Sequence, residues 1–395
     1  LYIYQRRFAM KKILFKQIFL IVLSVCGFCH AQESYMSDFY KGNLVEKKQV
    51  VESSSAAGDS SIAIAALDFS ISAYDALSSD TDFINLVETS VKSLTAGNSK
   101  GKEKIIAEKL RMIFKTFSDS KIKIAVIDAF SVFQSPENLY LVNDFFYSKM
   151  QKSQEMDEAL LKAVLFMGTY GNSASFNMLF IADILDVWPS YSAILASSYG
   201  GLANESEKEI LQFLSTVPIE KKILILKRLD ENPKVSKKIC GESAENALSS
   251  VIYNIEGAKP DFSGSKLNLT LVCLQVFSDT QWTRAASLIA SCFNGIRQEY
   301  ENGNLSDEDF SSTIKNIASV SSAETSSSLS SYLDFLNKQT EKNLPPSKAV
   351  VLSLINSLGE MGDKAAFDSL LYATYLDYPE EVIAAAKNAL AKLKW

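Results

Sequence analysis

The spacing of hydrophobic and polar residues is helical from about Ser61 almost to the last residue. In the final segment the apolar residues recur every three or four positions: Val382, Ala385, Ala386, Ala389, Leu390 and Leu393. This spacing places them in one stripe along an amphipathic helix, and the alanines favour close packing against a neighbour. No sustained alternation of apolar and polar residues indicates a β-strand. The pattern therefore predicts an all-α fold.

Several helix starts are marked by capping residues. Ser135-Pro136-Glu137 combines a Ser cap with a first-turn Pro, and Ser206 to Glu209 has the spacing of a capping box. Ser306 precedes three acids, which favour the positive end of a helix. The loops between the predicted helices are short, which predicts antiparallel neighbours.

The chain also resembles itself at an offset of 191 residues. When residues 168–202 are placed over 359–393, ten of the thirty-five positions are identical, including Gly168/Gly359 and Gly171/Gly362. The Gly-x-x-Gly pairs follow predicted helices rather than strands, so they indicate a tight turn and not a phosphate-binding loop. Weaker copies at spacings of roughly 35–45 residues are typical of helical-hairpin repeats.

The block from 349 to 393 resembles a HEAT-type repeat, and 158–202 resembles it less closely. The resemblance lies in Leu-Gly-Glu-Met-Gly-Asp, ending at Asp363, and in the Ala-Ala-Ala-Lys-Asn-Ala-Leu stripe that ends at Leu390. It implies an α-solenoid of antiparallel helical hairpins with a binding role, and it implies no catalytic residues. We expect N-terminal repeats over 61–256, a loop over 257–266 and C-terminal repeats over 267–395.

The first 31 residues have the pattern of a bacterial signal peptide. A basic patch begins at Met10, and a 12-residue apolar run follows from Ile18 to Cys29, shorter than the roughly 20 residues of a membrane-spanning helix. We expect cleavage after Ala31, with residues 1–9 upstream of the true start at Met10. Lipidation of Cys26 in a loose lipobox is the alternative. Residues 32–60 are polar and predict a poorly ordered lead-in, with room for one short helix at 35–50.

Removal of residues 1–31 changes the charge and the available chemistry. Five basic residues and the single histidine, His30, lie there, which leaves 35 basic and 46 acidic residues and a formal net charge of −11. Such a field repels a phosphate backbone, so we expect no nucleic-acid partner. Without histidine, Ser-His-Asp and Cys-His catalysis and His-ligated zinc are excluded. We expect no cofactor and no metal.

Three cysteines remain, and none forms a Cys-x-x-Cys motif. Cys240 stands alone, whereas Cys273 and Cys292 lie in apolar runs that predict neighbouring helices. Buried, inert thiols are the main interpretation, and a bridge between Cys273 and Cys292 is left open.

The remaining polar clusters have structural interpretations. Adjacent acids at 307–309 and 380–381 fall in predicted first turns of helices, where the helix dipole accounts for them. Eight of the thirteen residues 319–331 are Ser, which predicts a solvated helix face or a weakly ordered turn. We expect no catalytic residue.

Aromatic residues offer the best candidate contacts with a partner. Tyr372, Tyr375 and Tyr378 advance by threes, so part of that row is expected to be exposed, and Trp188 and Tyr191 form a second cluster. We therefore expect an exported, periplasmic or secreted, non-enzymatic scaffold that binds an unidentified protein in a bacterial cell envelope. The alternatives are a lipid-anchored form of this scaffold and a carboxylate-dependent, glycan-active envelope enzyme.

Overall fold

The computed structural model describes residues 34–152, 154–252 and 262–394. Contacts within the chain divide it into two compact units, of which unit 1 ends at Gly171 and unit 2 begins at Asn172. Nearly all described residues lie in helices, and the only β contact among them is a single bridge between Asp363 and Lys394. The prediction of an all-α fold is confirmed.

Unit 1 contains eight described helices. They are α1 (34–41), α2 (Leu44–Ala56), α3 (Ser61–Leu77), α4 (Thr81–Lys92), α5 (Glu103–Thr116), α6 (Ser120–Val132), α7 (Pro136–Gln151) and α8 (Glu158–Tyr170). Helices α2, α4, α6 and α8 pack on one another in sequence, and α3, α5 and α7 form a second layer. Fully buried side chains such as Phe83, Leu110 and Phe130 fill the unit. This alternation of layers is the arrangement of an α-solenoid.

Unit 2 continues with twelve described helices. They are α9 (Ser173–Ile184), α10 (Ser192–Ala203), α11 (Glu207–Thr216), α12 (Ile219–Asp230), α13 (Lys237–Ile252), α14 (Ser265–Thr280), α15 (Ala286–Glu301), α16 (Asp307–Ser319), α17 (Ala323–Glu341), α18 (Lys348–Met361), α19 (Phe367–Ala373) and α20 (Glu380–Lys392). Short 3₁₀ turns precede α10, α15 and α19. One row of successively packed helices consists of α12, α14, α16, α18 and α20. A second row, in which each helix packs on the next, consists of α15, α17 and α19.

The self-similar segments coincide helix for helix. When the sequence is aligned with itself at an offset of 191 residues, α8 aligns with α18, α9 with α19 and α10 with α20. The prediction that all four glycines of the two Gly-x-x-Gly pairs lie in tight turns is wrong for the first glycine of each pair. Gly168 and Gly359 lie inside helices, and a Cβ atom at Gly359 would lie 2.8 Å from the Cβ of Ala389. Only Gly362 ends its helix in the left-handed region, at a φ of 67°.

The predicted lead-in is corrected by the structure. Residues 34–60 are not poorly ordered but form α1 and α2, because they carry buried anchors such as Phe39 and Val51. Lys47 is buried and donates from Nζ to the carbonyl oxygens of Phe39 at 2.5 Å and Gly42 at 2.7 Å. A side chain of α2 thus satisfies carbonyls at the end of α1.

Two of the three predicted helix caps are confirmed. The Ser135 hydroxyl accepts from the Asn138 amide at 3.2 Å, and the Ser306 hydroxyl accepts from the Asp309 amide at 3.0 Å. The capping box at Ser206 is wrong. Its hydroxyl instead donates to the carbonyl oxygen of Leu202 at 2.9 Å, in the preceding helix.

The predicted segment boundaries differ from the observed units. The loop expected at 257–266 lies mostly outside the described residues, and the contacts divide the chain at Gly171 instead. The predicted signal peptide, with Cys26, Ala31 and His30, also lies outside the described residues. Within the described part, no helix is long and apolar enough to span a membrane.

Candidate interaction surfaces

The three tyrosines of the predicted row differ in their exposure to solvent. Tyr375 is 79% exposed and Tyr372 is half-buried, with its hydroxyl bonded to Glu341, which raises the pKa of Tyr372. Tyr378 is buried, and its hydroxyl donates to Oδ1 of Asn337 at 3.2 Å. Tyr378 therefore belongs to the core, and the expectation that it contacts a partner is corrected.

The two residues of the second aromatic cluster also differ in their exposure to solvent. Trp188 is buried just before the 3₁₀ turn Pro189–Tyr191, and Tyr191 is half-buried. Trp188 is only 7% exposed and therefore offers little area to a partner. Of the five aromatic residues predicted as contacts, Tyr375 alone is strongly exposed.

The serine-rich segment is not a solvated face throughout. From Ala323 onwards it belongs to α17, where Ser326 and Ser330 are buried. The Ser330 hydroxyl lies 2.9 Å from that of Ser369 and 3.1 Å from the carbonyl oxygen of Ala365. The Ser330 and Ser369 hydroxyls thus bond to each other where α17 packs on α19, whereas the buried Ser326 hydroxyl has no hydrogen-bond partner among the described residues.

All three cysteines in the described residues are free and buried. Burial raises the pKa of Cys292 to about 12, and burial together with the nearby Asp230 raises the pKa of Cys240 to about 12. Burial also raises the pKa of Cys273. Thiols of this kind are poor nucleophiles, which agrees with an inert packing role.

Both predicted acidic clusters contain a carboxylate that is bonded to neighbouring side chains. Asp307 accepts from the hydroxyls of Tyr300, at 2.7 Å, and Ser347, and these bonds lower its pKa. Glu381 pairs with Lys348. Among the described residues, no group of three or more His, Cys, Asp or Glu side chains is placed to hold a metal ion.

One carboxyl pair was not foreseen from the sequence. Asp230 at the end of α12 meets Asp279 near the end of α14. Burial, followed by the charges of Asp279 and Glu231, raises the pKa of Asp230 to about 6. The Gln275 side chain donates to Oδ2 of Asp279 at 2.9 Å, so Asp279 is also bonded within its own helix α14.

The largest exposed apolar side chains of one helix layer lie on α5 and α7. Their exposed fractions are 52% for Ile105, 45% for Met112, 69% for Tyr140 and 45% for Tyr147. We call these four residues the α5/α7 surface. The two residues on each helix are seven positions apart, which places them on the same face two turns apart. Helices α5 and α7 are neighbours in one layer, so both exposed stripes belong to that layer.

The α5/α7 surface rests on a firmly joined base. The Arg111 guanidinium donates to Oδ1 of Asn138 at 3.1 Å, and the rings of Phe114 and Phe145 meet edge to face at 5.6 Å. Lys123 lies over the Phe114 ring at 3.9 Å and bonds the Phe114 carbonyl oxygen. Burial, then the charge of Lys149, lowers the pKa of Lys123 to about 8. The surface is therefore held on rigid helices.

Sequence reasoning missed the α5/α7 surface for an identifiable reason. The i, i+7 spacing of Ile105 and Met112 is also the spacing of a core stripe, and Tyr140 stands close to buried apolar residues in the sequence. Only the layer assignment decides which stripe faces outward.

Compared with models of known protein families, the chain matches none, and no curated protein has a matching sequence.

Proposed function

We propose that the chain is an exported, non-enzymatic helical-repeat scaffold, HEAT-like in its repeats, that binds a protein partner through the α5/α7 surface. The observation that carries the proposal is this surface, four large apolar side chains on two adjacent helices of one layer. Large apolar side chains that stay exposed on neighbouring helices are candidates for contacts with a protein partner.

The composition of the α5/α7 surface supports a protein partner. Tyrosine and methionine are enriched at protein–protein interfaces because they bury a large area and carry few fixed charges. Exposed charged residues, Glu108 between Ile105 and Met112 and Asp144 between Tyr140 and Tyr147, are interleaved with the apolar ones. Reversible interfaces combine apolar and charged residues.

The repeat architecture supports the same role. In stacked helical hairpins each repeat contacts its neighbours, and one layer presents a continuous row of helices to a ligand. Helices α3, α5 and α7 form such a row in unit 1. A partner that spans two helices of the row gains contacts without any rearrangement of the core.

Quantitative co-purification from the native cells tests the binding role. Tagged full-length chain is compared with Tyr140→Glu, and Tyr40→Glu serves as a matched control because Tyr40 on α1 is 67% exposed. We expect a reproducible partner whose recovery falls about tenfold or more with Tyr140→Glu and is unchanged with Tyr40→Glu. Equal recovery with both variants would argue against the α5/α7 surface.

Export rests on the sequence of residues 1–31 and is tested separately. The intact mass of the protein from its own cells distinguishes the two forms. A chain that starts at Gln32 supports a soluble periplasmic or secreted scaffold. A chain that starts at Cys26 and carries acyl groups supports the lipid-anchored form, and Cys26→Ser should then release it from membranes. A mass that retains the segment from Met10 would contradict export by cleavage.

A further inference from the structure

A small cleft lies in unit 2 between α10 and the connection from α12 to α13. Its volume is about 230 Å³. The α10 wall carries only small side chains, Ala193, Ala196 and Ser197, and the facing wall includes Arg228 and Lys234. The short side chains of α10 leave room that a larger residue would fill.

The walls of the cleft are fixed by hydrogen bonds. The Asn232 side chain is buried and donates from Nδ2 to the carbonyl oxygen of Ala196 at 2.8 Å. Lys234 donates from Nζ to the Ser197 carbonyl oxygen at 2.7 Å and to its hydroxyl at 3.0 Å. Asn204 donates to the Lys234 carbonyl oxygen at 2.9 Å. The connection is thus held against α10 in one position.

A buried carboxylate positions Arg228 from behind. The Asp183 side chain is fully buried, and its Oδ2 lies 3.6 Å from Nε of Arg228. The carboxylate already accepts from the Ser192 hydroxyl at 2.5 Å and from the Tyr199 hydroxyl at 3.0 Å. Asp183 therefore balances the charge of Arg228 without hydrogen-bonding its Nε, and no described residue accepts a hydrogen bond from that atom.

The Arg228 guanidinium is partly accessible from the cleft. The Arg228 side chain is 34% exposed and lines the cleft, and arginine has five N–H donors in a planar fork. This fork matches a carboxylate in a bidentate pair better than any other common anion except phosphate. Lys234 adds a second positive charge, whereas Glu231 is the single acid among the residues that line the cleft.

The size of the cleft selects a small group. Its volume of about 230 Å³ is enough for a carboxylate with a short substituent. We propose that this cleft binds the carboxylate of a small organic acid or of a peptide C-terminus, with Arg228 as its principal anchor. This ligand site lies in unit 2 and is independent of the α5/α7 surface.

Isothermal titration calorimetry of the full chain tests the proposal with defined probes. N-acetylglycine carries the carboxylate, and N-acetylglycinamide is the same molecule without the charge. We expect saturable binding of the acid and at least about tenfold weaker binding of the amide. Equal binding of the two probes, or no binding of the acid, would overturn the proposal.

Variants locate the site. Arg228→Gln should weaken the binding of N-acetylglycine about tenfold or more, whereas Lys227→Gln removes the same charge from an exposed neighbour and should have no such effect.

Arg228→Gln also leaves Asp183 buried without its counter-charge, so a second variant is needed. Ala193→Met should block the cleft and leave the Asp183 network intact, with Ala384→Met on the exposed face of α20 as its control. Unchanged affinity in Ala193→Met would overturn the site.

A final comparison separates the two sources of the carboxylate. An acetylated tetrapeptide ending in glycine is titrated beside N-acetylglycine. Tighter binding of the tetrapeptide assigns the cleft to a chain terminus, and equal or weaker binding assigns it to a free small acid. Both results support a carboxylate site, provided that the amidated tetrapeptide binds more weakly than the acid.

Discussion

The hydroxyl of Tyr378 donates a hydrogen bond of 3.2 Å to Oδ1 of Asn337, and both side chains are buried. Asn337 in turn donates from Nδ2 to the carbonyl oxygen of Ser369 at 2.9 Å. One amide therefore joins α17 to α19 and to the segment that leads into α20. This bond explains why Tyr378 points inward while Tyr375, three residues earlier, is exposed.

The bond between Tyr378 and Asn337 should contribute measurably to stability. Tyr378→Phe removes the donor and leaves Oδ1 of Asn337 buried without it, at a cost of about 1–3 kcal/mol. Tyr375→Phe changes the same group on an exposed residue and should stay within about 0.5 kcal/mol of the native chain. Urea denaturation of the two variants measures the difference, and equal midpoints would show that the bond is not significant.

The contact between Gly359 and Ala389 predicts opposite effects for two Gly→Ala substitutions. At Gly359 a Cβ would lie 2.8 Å from that of Ala389, so Gly359→Ala should force α18 and α20 apart at a cost of about 1–3 kcal/mol. Gly201 in α10 has open space around its Cβ position, and Gly201→Ala should stabilise the chain by about 0.5–1 kcal/mol. Thermal unfolding compares them, and the same sign for both would contradict the packing described.

Lys47 should be required for the order of α1. Lys47→Met removes the donor to three carbonyl oxygens, those of Phe39, Tyr40 and Gly42, and leaves them without that partner. We expect hydrogen exchange over residues 34–41 to accelerate about tenfold or more, because the loss of such bonds costs about 1–3 kcal/mol. Lys48→Met is the control, since the Lys48 side chain is half-buried and has a long contact with Glu52, at 3.9 Å. Unchanged exchange in Lys47→Met would contradict the capping role.

The pair of Asp230 and Asp279 predicts a dependence of stability on pH. The pKa of Asp230 is raised from 3.8 to about 6, first by burial and then by Asp279. Between these values the folded chain retains a proton that the unfolded chain has lost, so the contribution of Asp230 to the free energy of unfolding falls as pH rises.

Replacement of the partner carboxylate tests this dependence. Asp279→Asn removes the charge that opposes ionisation of Asp230, so its stability relative to the native chain should improve from pH 4 to pH 7. Asp368→Asn on the exposed face of α19 should show no such trend. A constant difference between Asp279→Asn and the native chain at all pH values would exclude the coupling.

The fold class could be predicted from the sequence because it depends on local periodicity. The Ser135 cap and the last amphipathic helix are local patterns of this kind. The similarity at an offset of 191 residues compares two such patterns and can also be found in the sequence. The failures depend on tertiary contacts. Residues 34–60 appear polar in the sequence, but Phe39 and Lys47 find partners only once α1 and α2 have packed.

The surfaces could be predicted only in part, for the same reason. Tyr375 and Tyr378 occupy the same sequence pattern, and the position of Asn337 on a different helix decides which of them is buried. Likewise, the connection between Asp183 and Arg228 joins residues 45 positions apart on α9 and α12. No short motif marks such a pair.

Photocross-linking in the native cells tests whether the α5/α7 surface binds a protein partner. A photoreactive amino acid replaces Met112 or Tyr147, each 45% exposed, and Val45 on α2, which is 47% exposed, is the matched control. We expect one discrete cross-linked species at both Met112 and Tyr147 and none at Val45. Cross-linking at Val45 equal to that at Met112 and Tyr147, or no cross-link at these two positions, would contradict it.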